Sequence, residues 1–484
     1  MLVDKPSSLF ARDREWRALD QFVNNPVPDL SLGIVSGRRR QGKTFLLQTL
    51  VKATGGFYFA AEEATESESL SRFGQALADY LEVPGTFEFT SWRQAFDQVL
   101  ERCHGRTVVI DEFPYLLNAS PPLASVIQHQ VDSREQPWKD GGRARLILCG
   151  SAMSVMGGLL GGTAPLRGRA SLELIVKPFD YRTAAGFWNA DEPRLATLLH
   201  SITGGTPAYK TRFVGHQVPE GLERFDQWVI DRVLNKESPL YHEGRYLIAS
   251  EGNIRNASLY HAVLGAIAAG KHTRSGIAAH CGRQASDLTH ALSVLEDCGL
   301  IRIEPDAFKA NRHLFRINEP LIVFYEAIMR PAWSRLELGQ AEAVWSESRS
   351  RFGSQVMGPH FEGLCRSYTA TNDRFGAFPS EVSSGTITDQ VSRTPIEVDV
   401  VATAAAESDR PKRILCLGEA KWGTRMDLYH LSRLARVREL LASKYDVSGA
   451  ALACFSAAGF SDDLVAAAAG DSRIHLIGLD DLYR

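Results

Sequence analysis

Short apolar runs alternate with helical periodicity through the first half of this chain. Leu32-Gly33-Ile34-Val35, Phe57-Tyr58-Phe59, Thr107-Val108-Val109-Ile110 and Arg145-Leu146-Ile147-Leu148 are too short for helices and too apolar to lie in water. Runs of this kind between amphipathic stretches predict βα crossovers and a mainly parallel sheet buried on both faces. An α/β core is expected over residues 8–180, followed by a helical lid over 181–250.

The pattern then changes. Leu259 to Ala269, Thr273 to Cys281 and Ser286 to Cys298 read as three helices, followed by strand-like Gly299 to Ile303 and Leu314 to Ile317. Three helices ending in a β-ribbon predict a winged helix-turn-helix over 255–330. After a helical connector, residues 352–484 alternate again as helix, strands, helix and strand. The 484 residues thus divide into several cores, in keeping with domains of roughly 100–200 residues.

One motif gives the first core its chemistry. Gly37-Arg38-Arg39-Arg40-Gln41-Gly42-Lys43-Thr44 fits G-x-x-x-x-G-K-[ST], follows an apolar strand and opens a helix at Phe45. In that context backbone N–H groups and the helix N-terminus cradle phosphates, Lys43 reaches the β- and γ-phosphates, and Thr44 offers its hydroxyl oxygen to Mg²⁺. Val108-Val109-Ile110-Asp111-Glu112 supplies the partner strand. Asp111 is expected to hold Mg²⁺, and Glu112 to polarise the attacking water. Ser151, closing the strand at Leu146, is placed to sense the γ-phosphate. Arg167 and Arg169 follow, either as neutralisers of transition-state charge or as solvated loop arginines.

These residues resemble a family. Phe10-Ala11-Arg12-Asp13-Arg14-Glu15-Trp16, the arginine-rich phosphate loop, Asp111-Glu112, Gly150-Ser151, Leu166-Arg167-Gly168-Arg169 and Thr203-Gly204-Gly205-Thr206-Pro207 look like the motif series of the archaeal-type prokaryotic ATPases, AAA+-related enzymes close to the STAND NTPases. Phe315 to Pro320 with Phe324-Tyr325 resembles the segment joining that family's winged helix to its C-terminal domain. The resemblance implies ATP as the nucleotide, with the Phe10 and Arg12 region near the adenine. The fold class expected is α/β: a P-loop NTPase sheet with helical lid, a winged helix-turn-helix and a C-terminal restriction-endonuclease-like domain.

A second constellation lies near the C-terminus. Ile396-Glu397-Val398-Asp399-Val400 alternates, so Glu397 and Asp399 are expected on one face and the apolar residues on the other. Leu415 to Lys421 can be read the same way, with Glu419 and Lys421 together. Paired as a hairpin, the two runs bring Asp399, Glu419 and Lys421 into the D-x(n)-E-x-K arrangement of the PD-(D/E)XK fold, which the family's C-terminal domain resembles. Two carboxylates offer hard oxygen ligands to Mg²⁺ or Mn²⁺, and a neighbouring lysine orients the attacking water. Glu362, on a helix ahead of the strands, is a further candidate ligand. His360 beside it reads as a surface or packing residue, and the bland alternative for Asp399, Glu419 and Lys421 is an exposed ion network.

Composition limits these readings. No apolar run approaches the roughly 20 residues of a spanning helix, and the start lacks a secretory h-region, so no membrane partner and a cytoplasmic location are expected. Seven cysteines without a Cys-x-x-Cys pair read as reduced thiols, and the His and Cys spacings match no familiar zinc finger. With a net charge of -3, any contact with DNA must come from a local basic face. Ser286 to Cys298, the winged helix's reading element, contains no lysine or arginine. The sequence thus predicts an ATP-hydrolysing, DNA-directed protein coupled to a metal-dependent nuclease-like domain, with self-association open. The alternative is a regulatory STAND-like NTPase switch with a DNA- or protein-binding winged helix and a non-catalytic C-terminal module.

Overall fold

The structure, a computed structural model, describes residues 4–25, 29–133, 144–249, 257–406, 408 and 410–484. The chain divides into two compact units, Met1–Pro178 with Thr206–Ala208, and Phe179–Gly205 with Tyr209–Arg484.

The first unit is built on five strands: β1 (Ser31–Ser36), β2 (Phe57–Ala60), β3 (Thr107–Asp111), β4 (Arg145–Gly150) and β5 (Ala170–Ile175). They run parallel in the order β2-β3-β4-β1-β5. Alternation along each strand feeds two cores. Leu32, Ile34, Val108, Ile110, Leu146 and Leu148 pack on one face, and Val35, Val109, Ile147 and Cys149 on the other. Helices Glu66–Tyr80, Trp92–Arg102 and Leu123–Asp132 cover the first face, and Asp13–Val23 and Lys43–Thr54 the second. Because β4 lies between β1 and β3, the ends of these three neighbouring strands carry the phosphate loop, Ser151 and Asp111-Glu112. Ligands in open parallel sheets bind beyond such carboxyl ends. The edge strand β5 escapes the apolar-run criterion because its Ala-Ser-Leu-Glu-Leu-Ile sequence is only half buried.

The second unit holds the helices of residues 181–249, the three helices Ala257–Ala268, Arg274–His280 and Thr289–Asp297, and a seven-stranded mixed sheet. Its strands are β6 (Ile301–Asp306), β7 (Lys309–Ile317), β8 (Glu381–Asp389), β9 (Thr394–Thr403), β10 (Ile414–Lys421), β11 (Ala451–Ser456) and β12 (Ile474–Gly478). The order is β12-β11-β10-β9-β8-β6-β7. The β6–β7 hairpin that follows the three helices joins the C-terminal strands through a parallel pairing of Asp306 with Ser384. Residues 181–205, 209–249, 257–330 and 352–484 lie within this one compact unit, and the β6–β8 pairing joins the hairpin to the C-terminal strands.

The alternation expected along β9 is broken. Val398 and Val401 pack in one core while Val400 and Ala402 pack in the other. The register against β8 shifts between Ser383 and Gly385, so Asp399 and Val400 together oppose Ser384. A bulge of this kind re-aims side chains and is common beside functional sites.

Candidate functional site

The phosphate loop leaves β1 at Ser36 and enters helix Lys43–Thr54. Gly37 has φ +149°, and a Cβ there would stand 2.4 Å from the Val176 carbonyl oxygen, so no other residue fits without displacing backbone. Gly42 caps the helix at φ +86° with open space where a side chain would be. Lys43 Nζ turns back onto the loop, donating to Gly37 O at 2.6 Å and Arg38 O at 3.0 Å. Burial lowers its pKa, against the opposing pull of Glu112 and Asp111. Arg12 holds the loop from outside: Nη2 donates to Gln41 O at 2.9 Å and Nη1 to Lys177 O at 2.7 Å and to Glu15. Gln41 is buried and donates to Thr206 Oγ1 at 3.2 Å. Arg39 reaches Tyr115 OH at 3.4 Å, Arg38 is half-buried, and Arg40 (φ +73°) and Phe45 face solvent.

Thr44 Oγ1 donates to Asp111 Oδ2 at 2.8 Å, which joins the loop directly to the end of β3. Tyr58 on the neighbouring β2 donates to the same oxygen at 2.7 Å, and the Glu112 N–H donates to Oδ1 at 2.9 Å. Burial and the Asp111 charge together raise the Tyr58 pKa, keeping the phenol a donor. Glu112 adopts φ +50°, a left-handed conformation that is uncommon outside glycine. Ser151 Oγ donates to its carboxylate at 3.2 and 3.0 Å. Lys43, Thr44, Asp111, Glu112 and Ser151 are thus gathered around one point. Arg169 is engaged elsewhere: Nε and Nη2 each donate to Asp132 at 2.7 Å.

In the second unit, β9 and β10 form the expected antiparallel pair, with Val400 opposite Gly418. Asp399 Oδ2 accepts the Ala420 N–H at 2.9 Å, and Lys421 Nζ lies 3.7 Å from Asp399 and 3.1 Å from Glu419. Two arginines that the sequence pattern did not single out complete the group. Arg433 meets Glu419 Oε1 at 2.6 Å, and Arg366 donates to Asp399 O at 2.9 Å. Both lie on helices flanking the strands, and i,i+4 spacing from Glu362 was the available signal for Arg366. Burial raises the Asp399 pKa, with Lys421 opposing; burial and Asp399 push Glu362 up to about 7. Burial alone would lower the Lys421 pKa, but Asp399 and Glu419 outweigh it and raise it.

Among the described residues no group of three or more His, Cys, Asp or Glu side chains is placed to hold a metal ion. Glu419 is 2 % exposed and ion-paired with Arg433 and Lys421, while Glu362 lies 3.9 Å from Arg366. His360 faces His200, with Nε2 3.0 Å from the His200 Nδ1. No described helix is long and apolar enough to cross a membrane.

No protein-family model matches the chain. It is 24 % identical over 372 residues to the uncharacterized protein MJECL04 of Methanocaldococcus jannaschii, covering 76 % of this chain and 79 % of that one. Among solved structures it is similar to the Walker-type ATPase PABY2304 of Pyrococcus abyssi, at 20 % identity and a TM-score of 0.48, covering 67 % and 99 % of the two chains. It is also similar to the ORC2 protein of Aeropyrum pernix in its ADPNP-ADP complexes, at 14 % identity and a TM-score of 0.42, covering 72 % and 98 %. Both TM-scores fall below 0.5, so the functional reading rests on the chain's own residues.

Proposed function

We propose that this chain binds and hydrolyses ATP at the loop Gly37–Thr44. The observation that carries the reading is the 2.8 Å contact of Thr44 with Asp111, beside a Glu112 held by Ser151. On this reading Gly37 to Thr44 cradle the phosphates, Lys43 exchanges its loop carbonyls for β- and γ-phosphate oxygens, and Glu112 accepts a proton from the attacking water. Thr44 and Asp111 would hold Mg²⁺, which when bound supplies charge neutralisation at the phosphates. Phosphate release by wild type, reduced to background in Lys43→Ala, supports the reading; equal release by both proteins refutes it.

For the second unit, the ion pairs that hold Glu419 to Arg433 and Lys421 favour the regulatory reading: an ATP-driven switch whose C-terminal module docks a partner without cutting it. The coupled-nuclease reading draws on the convergence of Asp399, Glu419 and Lys421 and on the bulge that aims Asp399. The restriction-endonuclease-like domain belongs to that reading, whereas a winged helix that binds DNA, and assembly into an oligomer, are compatible with either. Plasmid DNA incubated with Mg²⁺ or Mn²⁺, with and without ATP, separates the two. Cutting by wild type that is lost in Asp399→Ala, with ATP turnover intact, would establish the nuclease. No cutting beside normal turnover supports the switch.

A further inference from the structure

Inside the second unit a cavity of about 440 Å³ is walled by Arg302, Arg316 and Arg366 with Glu304, and by His200 and His360. Arg316 and Arg366 are each only 7 % exposed. Arg302 Nε donates to Glu304 Oε1 at 2.7 Å, but the Arg316 Nε stands 3.6 Å from Glu304 Oε2, and neither of those two buried atoms makes a hydrogen bond. Arg316 Nη2 reaches Ser384 Oγ at 3.4 Å, and Arg366 donates to the Asp399 carbonyl. Glu362, 3.9 Å from Arg366, lies outside the wall.

Three guanidinium groups therefore line a sheltered space with Glu304 as the carboxylate in its wall and Glu362 behind Arg366. Burial, with the nearby Arg366 charge, lowers the Arg316 pKa, while Glu304, Glu362 and Glu397 oppose the shift without cancelling it. Burial holds the His200 pKa down to about 4 and that of His360 lower still, so these rings are neutral hydrogen-bonding groups at pH 7. A buried guanidinium N–H without a hydrogen bond is costly, and an anion entering from solvent would satisfy the Arg316 Nε.

We propose that this cavity binds a small phosphate-bearing molecule of about mononucleotide size, gripped by Arg302, Arg316 and Arg366. Guanidinium forks match phosphate oxygens in pairs, and convergence of three suits a tetrahedral, multiply charged group. A single oxyanion would leave most of the space empty, since one water takes only about 30 Å³. Ile267, Val323 and Val356 supply an apolar wall for the remainder of the ligand. A nucleic-acid backbone fits less well, because its phosphates are met by basic side chains that reach into solvent, whereas Arg316 and Arg366 are buried.

The test uses the full chain carrying Lys43→Ala, which disables the phosphate loop. Calorimetric titrations compare a 5′-mononucleotide, inorganic phosphate, the unphosphorylated nucleoside and a short single-stranded oligonucleotide. The expected result is saturable binding of the mononucleotide, weaker binding of inorganic phosphate and none of the nucleoside. Adding Arg302→Gln should weaken binding about tenfold or more. Ser367→Glu, at an exposed helix position on the cavity rim, should do the same by repulsion and guards against misfolding of the arginine variant. Absence of saturable phosphate binding, or affinity unchanged by both substitutions, would overturn the proposal. Binding of the oligonucleotide without competition from the mononucleotide would overturn it as well.

Discussion

Ser151, at the end of β4, donates its hydroxyl to both carboxylate oxygens of Glu112, at 3.2 and 3.0 Å. The contact spans two neighbouring strand ends and fixes a glutamate whose backbone is in the left-handed region. Ser151 is thus a positioning residue. Ser151→Ala should lower kcat by about tenfold, the scale of a lost hydrogen bond to a charged group, while leaving KM for ATP within about twofold. Ser151→Thr should recover most of the loss. Steady-state phosphate release separates this outcome from a structural defect, which would move both parameters.

Gly37→Ala should abolish ATP binding and cost on the order of 1–3 kcal/mol of stability, because a Cβ would press on the Val176 carbonyl in a strained backbone region. Nucleotide equilibrium binding and thermal melting check the two parts. Normal binding by this variant would show that the loop's close approach to Val176 is not required.

Arg433→Met should destabilise the second unit, since it leaves Glu419 buried with Lys421 as its remaining cation. Breaking a buried pair costs about 3–5 kcal/mol, and the partial exposure of Arg433 reduces the expectation to roughly 1–2 kcal/mol. Glu419→Gln placed on top of Arg433→Met should restore much of the loss. Denaturant midpoints of the single and double variants measure it, and an additive cycle would show that the pair does not interact.

His200 and His360 give a pH dependence with a defined sign. The folded His200 pKa is lowered by burial to about 4, against about 6.5 in an unfolded chain. Between those values the unfolded chain binds protons that the folded chain refuses, so stability falls as pH drops from about 6.5 toward 4. His360, lowered further by burial and by His200, adds to the same trend. His360→Gln, which keeps a polar partner for His200, should flatten the dependence when denaturant midpoints are followed across that window. An unchanged slope would contradict the assignment.

The two sites differ in how far local pattern could carry them. The loop Gly37–Thr44 and Asp111-Glu112 were readable because each is contiguous and flanked by an apolar strand. Tyr58 and Arg12 were not assigned their contacts with Asp111 and Gln41, which depend on the strand order and on the path of the chain between elements. Along β9 the bulge at Asp399-Val400 was invisible because strict alternation is the default reading of such a run. β8, rich in Ser, Thr and Gly, and the half-exposed β5 lack the apolar density that marks a strand. The union of the β6–β7 hairpin with the C-terminal strands rests on the pairing of Asp306 with Ser384, a long-range event that no window of sequence records.

The central claim is that Glu112 serves ATP hydrolysis at the phosphate loop, and Glu112→Gln tests it most directly. The substitution keeps size and hydrogen bonding to Ser151 but removes the basic oxygen. Single-turnover measurements with Mg²⁺-ATP should show binding within about threefold of wild type and a hydrolysis rate lower by about 10²–10⁴-fold. Hydrolysis by Glu112→Gln at the wild-type rate would contradict the account.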